Sequence, residues 1–269
     1  MDRRTSLLAK QGDRGGARGE LVFSLAWRMA RNRCLGTAGG VLWLFAQPLT
    51  QILIYWVVFS LGFKTQTPAG EPYILFFVTG FLPWLVFQEA LGAATTVVTG
   101  APHLVRKTTF PVTLLPMAVI AASLVTHGPL LVVALCIFTV TGWPPDVTAF
   151  ACLYYMVALS ALLLGLAWIT ASLNVYFRDV GQIVTVVLGI WFWLTPVVWP
   201  PSLLEPTLGV ALDFNPLNYV VQGYRDSLLH GHWPTPSLGA LVFWVQTIVL
   251  LFLGERLFHR LSRDFAEII

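Results

Sequence analysis

Two ionisable side chains fall inside long apolar runs of this 269-residue chain, where an unpaired charge is costly and chemistry is the default expectation. They are Glu89 and His127. At about 1.5 Å rise per residue they sit at similar heights, within roughly one to two helical turns of each other. That spacing allows them to pair or to relay a proton. One Glu and one His make a thin relay, however, and His127 adjoins Gly128-Pro129, whose loosened backbone could hold the ring instead. The remaining charge gathers in short turns. Arg106 and Lys107 lie in APHLVRKTTFP (Ala101–Pro111), and Arg178-Asp179 lie in NVYFRDV.

Each turn supports two readings. Arg106 and Lys107 either contact anionic lipid or an acidic partner groove, or merely enforce topology. Asp179 is placed to cap the next helix, where a carboxylate accepts backbone N–H bonds and meets the positive dipole end. Arg178 either snorkels to the interface or reaches a partner protein. Nucleotide chemistry has no home here, because a P-loop needs GxxxxGK[ST] and the lysines are only Lys10, Lys64 and Lys107, preceded by Ala9, Phe63 and Arg106. Transport driven by ATP would therefore need a separate hydrolysing subunit. Cys34, Cys136 and Cys152 have neither metal nor CxxC spacing and are expected as buried free thiols.

The elements that must position these residues are membrane helices. Charged residues are 11% of the chain and apolar ones 57%, against roughly 25% and 45–50% in soluble domains. A span needs about 20 apolar residues, and six are expected, at about 35–62, 73–99, 112–141, 148–174, 180–199 and 237–258. Fourteen of the sixteen Lys and Arg fall on one side of that topology, leaving only Lys64 and Arg225 on the other. Both termini are therefore expected in the cytoplasm. The fold class is an all-α polytopic membrane protein with six transmembrane helices.

Residues 1–19 are Gly- and Arg-rich and read as a flexible cytoplasmic tail; Arg3-Arg4 with Leu7-Leu8 only faintly echoes a twin-arginine signal. Residues 20–269 read as one transmembrane domain. Within it, Glu20–Arg33 puts Leu21, Leu25 and Met29 near one face and Arg28, Arg31 and Arg33 toward its end, which fits an interfacial helix or an extension of the first span. From Pro196 to Pro236 there are seven prolines, yet the apolar spacing predicts two short amphipathic, re-entrant helices within about 200–233. Trp191, Trp193, Trp199 and Trp233 bracket this stretch. An ordinary aromatic belt accounts for much of that, and aromatic faces also suit the C–H faces of sugars.

Several pieces in this order resemble the membrane permease of ATP-binding-cassette polysaccharide exporters, of the O-antigen and teichoic-acid type with capsule exporters more distant. They are Leu35-Gly36, Trp43 and Pro48, Lys107 with Phe110-Pro111, Phe177-Arg178-Asp179, Trp193-Leu194-Thr195-Pro196, Asn215-Pro216-Leu217 and Tyr224-Arg225-Asp226. The resemblance covers nearly everything after residue 20. It implies a homodimer bound to two ATPase subunits, which carry the ATP and magnesium, with no cofactor on this chain. The cargo would be a glycan on a polyprenyl-diphosphate lipid, drawn from and surrounded by membrane lipid; no nucleic-acid partner is expected. It further implies coupling to the ATPase through the N-terminal helix and around Arg106, Lys107, Arg178 and Asp179, and a lateral opening and channel near Trp43, Trp191 and Trp193. An outer gate would lie around Asn215, Pro216, Tyr224 and Arg225. Arg28, Arg31 and Arg33 are candidate contacts for the lipid diphosphate, because clustered guanidiniums bind phosphate bidentately.

The expected function is thus ATP-driven export of a lipid-linked polysaccharide (O-antigen, capsule or wall polymer) across a bacterial inner membrane. Two rivals remain open: a drug or small-lipid exporter permease, and a proton-coupled carrier or scramblase.

Overall fold

The structure, a computed structural model, describes residues 19–32, 42–65, 67, 70–106, 110–205, 209 and 211–269, apart from the side chains of Trp43 and Leu44. The tail, Arg33, Cys34, Leu35-Gly36, Lys107 and the Trp43 side chain, all singled out above, lie outside this description. Among the described residues only helices and turns form. They are α1 (residues 19–32), α2 (Leu42–Trp56), α3 (Tyr73–Thr96), the single turn α4 (Pro102–Val105), α5 (Leu114–Val140), α6 (Ala151–Tyr176), α7 (Val180–Leu194), α8 (Pro216–Leu228), α9 (Leu238–Leu261) and the short α10 (Phe265–Ile268).

Five helices are long and apolar enough to cross a bilayer: Phe45–Gly62, Tyr73–Thr96, Leu114–Val140, Val147–Tyr176 and Leu238–Leu261. This is an all-α polytopic membrane protein. α2 carries Pro48 and loosens into a π-helix over Val57–Gly62, before Lys64 turns the chain with φ 49°. α3 is the central post, with Leu75, Phe77, Phe87, Ala90 and Ala94 wholly buried. Around it pack α2, α5, α6, α7 and α8.

The sixth apolar helix, α7, is shorter than the 180–199 expected: it ends at Leu194. Its 15 residues extend about 22 Å, less than the roughly 30 Å of hydrocarbon. Pro196 favours the break, since its ring disfavours the helical region for the residue before it; Thr195 is extended, at φ −98° and ψ 132°. Thr195, Val197 and Val198 are nonetheless fully buried. Irregular backbone is tolerated there only if protein groups satisfy its carbonyls.

The re-entrant pair is partly as expected. Pro201–Leu203 is a 3-10 turn and residues 211–212 are helical, while the second member is α8. It is not a surface amphipathic helix: Leu217, Val220, Val221, Tyr224, Arg225, Ser227 and Leu228 are all buried, and α3, α6 and α9 enclose it. Beyond it, Gly231 at φ 68° turns the chain, and the backbone N–H of His232 returns to the Asp226 carbonyl at 2.9 Å.

α6 and α9 cross at two glycines. A Cβ on Gly165 would lie 2.7 Å from the Leu250 carbonyl carbon, and one on Gly254 would collide with the Gly165 carbonyl oxygen. Small residues here let the two backbones touch, as in close transmembrane crossings. At the N-terminus, α1 lays Ala26, Met29 and Ala30 on Ala121 and Ala122 of α5, leaving Phe23 and Trp27 exposed. An apolar outer side with a packed inner stripe fits a helix lying in the interfacial layer.

Candidate functional site

The two most distinctive motifs, WLTP and NPL…YRD, meet as one hydrogen-bonded unit. Asn215 is extended (φ −85°, ψ 109°) and caps α8 by accepting the Leu217 N–H at 3.1 Å on its Oδ1. Pro216 follows at the first helical position, where the missing N–H costs nothing. The same Oδ1 accepts the Trp191 indole N–H at 2.9 Å. The Asn215 Nδ2 donates to Thr195 Oγ1 at 3.0 Å and to the Leu194 carbonyl at 3.4 Å. One amide side chain thus starts α8 and closes the frayed end of α7.

Arg225, in the last turn of α8, is only 1% exposed. Its Nη2 donates to the Val197 carbonyl at 2.8 Å and its Nε to the Phe76 carbonyl at 3.3 Å, while the guanidinium lies 3.7 Å above the Phe76 ring. The neighbouring Val198 carbonyl accepts the Tyr73 hydroxyl at 2.8 Å. Two carbonyls of the buried, broken segment, those of Val197 and Val198, are therefore satisfied by Arg225 and Tyr73, and the last carbonyl of α7 by Asn215. Gly80 makes room: a Cβ there would stand 2.7 Å from Arg225 Nη2 and 3.3 Å from the Val197 oxygen. A cation on this side of the topology was expected among outer charges; it is instead a buried strut.

Tyr224 is wholly buried and its hydroxyl meets His127 Nε2 at 3.3 Å. His127 therefore bonds to α8, not to Glu89. Glu89 is exposed and borders a 240 Å³ cavity with Gln47, Gln88 and Thr126. No Glu89–His127 hydrogen bond forms among the described residues.

The tryptophans of α7 face opposite ways. Trp191 turns inward, edge-on to Phe87 at 5.2 Å, whereas Trp193 is 56% exposed. With Ile183, Val186, Val187 and Ile190, Trp193 forms an uncovered apolar stripe along α7. α2 and the π-helix that continues it expose Leu49, Leu53, Val57 and Leu61 in the same manner.

The opposite end of the bundle is basic. Arg106 donates from Nη2 to the Ile269 carbonyl at 2.9 Å, joining α4 to the end of α10. Arg178 and Asp179 are exposed in the α6–α7 turn. The expected Asp179 cap does not form: the residue is already helical (φ −68°, ψ −16°) and its side chain bonds no helix N–H. Asn174 takes that part, accepting the Gly181 N–H at 3.1 Å while donating to Thr99 Oγ1 at 3.3 Å. Asp179 and Arg178 are thereby left facing outward from the turn. Arg28 and Arg31 are exposed on α1.

Sequence reasoning missed Tyr73, Phe76, Gly80 and Asn174. Gly80 in a fully apolar run had a signal, since a helix-interior glycine needs a packing reason. The others serve through contacts more than 25 residues away in all but the Asn174 cap, and no local pattern marks them.

The sequence profile of the ABC-2 type transporter family matches residues 20–229. The chain is 29% identical over 254 residues to "O-antigen export system permease protein RfbA" of Myxococcus xanthus, covering 93% of this chain and 95% of that one. It is 25% identical over 236 residues to a Klebsiella pneumoniae protein of the same name, covering 86% and 87%. A second Klebsiella pneumoniae protein of that name is 23% identical over 231 residues. Such a permease works with an ATP-binding subunit. The matched span runs from α1 through the whole α7–α8 unit, and the chain belongs to the ABC-2 type transporter family.

Proposed function

We propose that this chain is the channel-forming permease of an ATP-driven exporter of lipid-linked polysaccharide. The observation that carries this is near full-length similarity to permeases named for O-antigen export. The apolar stripes of α2 and α7 support pairing with a second copy, the two faces bordering the conduit and its lateral opening around Trp193. The basic end faces the cytoplasm of a bacterium, with both termini, by the excess of Lys and Arg there. Two ATPase subunits dock on it around Arg106, Arg178 and Asp179 and carry the ATP and magnesium. Arg28 and Arg31, exposed on α1, are the contacts for the polyprenyl diphosphate. At the outer end, α8 is the gate element, hung from α7 by Asn215 and from the broken segment by Arg225.

Deleting the gene and restoring it, with and without a hydrolysis-dead ATPase partner, tests the proposal. Surface polysaccharide should vanish, return with the wild-type pair, and stay absent with the dead partner while lipid-linked polymer accumulates inside. Export that persists without ATP hydrolysis would favour the proton-coupled reading.

A further inference from the structure

A second cavity has no part in the α7–α8 strut. It holds about 710 Å³ between α8, the returning loop 229–237 and the start of α9, at the end opposite Arg106. That volume is within the roughly 300–1,000 Å³ of small-molecule sites. Its lining is unlike a lipid-facing groove. Three aromatic rings, Tyr155, Tyr219 and Trp233, border it, and between them stand the amides of Asn218 and Gln222 and the carboxylates of Asp213 and Asp226.

We propose that this pocket binds uncharged, hydroxyl-rich saccharide units of the exported polymer, an inference that rests on the exporter reading above. A pyranose offers two things to a protein, flat C–H faces and a rim of hydroxyls, and the lining offers the complement of both. Tyr219 is held for stacking: it meets the buried Tyr155 edge-on at 5.4 Å and packs on Phe243 at 4.8 Å. The Tyr219 hydroxyl is fixed by Tyr154 at 3.0 Å, which in turn accepts the Trp244 indole N–H at 2.9 Å. Trp233, 55% exposed on the returning loop, supplies the open wall.

The polar groups are similarly set. Gln222 donates to Asn218 Oδ1 at 3.4 Å, one turn apart on α8, so both amides keep a fixed direction toward the cavity. Asp226 is oriented by His230 at 3.1 Å. Fixed amides and carboxylates are suited to sugar hydroxyls, which both donate and accept. Charge narrows the ligand further. No Lys or Arg lines the cavity while two carboxylates do, so the lipid diphosphate is repelled and a neutral portion of the polymer is admitted. Because the floor is α8, an occupying sugar touches one face of the helix whose other face holds Tyr224 and Arg225.

The test uses the permease–ATPase complex in nanodiscs and the strain's own surface polysaccharide, delipidated and cut to oligosaccharides by mild acid. Binding is followed by isothermal titration. Saturable binding to wild type, weakened about tenfold by Trp233→Ala and by Gln222→Ala and retained by Trp233→Phe, is the expected result. Inorganic pyrophosphate should not compete. Equal binding to wild type and both alanine variants, no saturable binding, or competition by pyrophosphate each overturns the site. Restoration of surface polysaccharide is scored in parallel. If wild type exports polymer yet the pocket binds none, the site alone falls. If wild type restores no polymer, the exporter reading falls and the site with it. Gln222→Ala, a partly exposed helix position, keeps the test open should Trp233→Ala fail to assemble.

Discussion

Arg225 Nη2 lies 2.8 Å from the carbonyl oxygen of Val197, twenty-eight residues earlier and on a different element. This bond joins the last turn of α8 to the extended segment that follows α7, and it explains how an arginine is kept in so apolar a place. Burying an ion is costly unless its donors are used. Here Nη2 meets the Val197 carbonyl, which has no helix partner, Nε adds a bond to the Phe76 carbonyl, which also accepts the Thr79 hydroxyl, and an aromatic face takes the charge.

Arg225→Lys should therefore be poorly tolerated. A lysine has one donating atom and cannot reach Val197 and Phe76 from the directions the guanidinium fork does. Where the lysine fails to reach Val197, that buried carbonyl loses its partner, at about 1–3 kcal/mol. Thermal unfolding followed by fluorescence-detected gel filtration should show a lower midpoint for Arg225→Lys, and lower still for Arg225→Ala. Wild-type midpoints in both would remove Arg225 as the strut.

Asn215→Asp and Asn215→Ala should separate the two halves of that residue's work. The aspartate keeps the acceptor for Leu217 N–H and Trp191 N–H, but loses the donor to Thr195 and Leu194. Alanine loses all four bonds, including a cap of about 0.5–2 kcal/mol. The expected stability order is wild type, then Asp, then Ala. An aspartate variant no more stable than alanine would mean the cap contributes nothing.

Gly80→Ala should weaken the same strut from the other side. The added methyl would crowd Nη2 and the Val197 oxygen together, so the guanidinium must leave one carbonyl. Its loss of stability should largely disappear in an Arg225→Ala background, because neighbouring sites that share a partner are non-additive. Full additivity in the double mutant would show that Gly80 acts elsewhere.

Much of the fold was legible because a bilayer permits few architectures. Long apolar runs gave four of the five full-length spans to within a few residues; the first, expected from 35, is described only from Leu42, and the sixth, expected to pass Pro196 and reach 199, ends at Leu194. What the pattern could not convey was the burial of α8. Its spacing read as an amphipathic surface helix, yet Arg225 is buried because carbonyls of Val197, beyond α7, and Phe76 of α3 come to meet it. The proximity of WLTP and NPL was visible as order along the chain, not as contact. Asp179 misled for a local reason: an N-cap needs extended backbone, and the turn makes that residue helical while Asn174 reaches across from α6.

His230 gives a small pH dependence at the outer end. Its hydrogen bond to Asp226 raises the imidazole pKa above the usual value of 6.5, more than its partial burial lowers it. The stabilising contribution is therefore complete below about pH 6.5 and fades as pH rises through the higher folded-state value. The pair is partly exposed, so the effect should stay below about 1 kcal/mol. Unfolding midpoints from pH 5 to 9 should fall slightly toward alkaline pH in wild type and less so in Asp226→Asn. A steeper fall in Asp226→Asn would reverse the assignment.

Arg106 offers the sharpest separation of topology from coupling at the basic end. Its guanidinium is bonded to the Ile269 carbonyl, so α4 and the end of α10 form one surface. Were Arg106 only a positive-inside charge, Arg106→Gln would leave everything intact, because many other cations fix the orientation. A coupling role predicts otherwise. Arg106→Gln should insert normally, with unchanged protease accessibility of its loops, and should still co-purify with an active ATPase. Surface polysaccharide should nonetheless fall several-fold, and further in Arg106→Glu, where a carboxylate replaces the donor and faces a carbonyl oxygen. Full export by both variants would assign Arg106 to topology alone and move the search for the coupling contact to Arg178 and Asp179, which the Asn174 cap leaves exposed in the neighbouring turn.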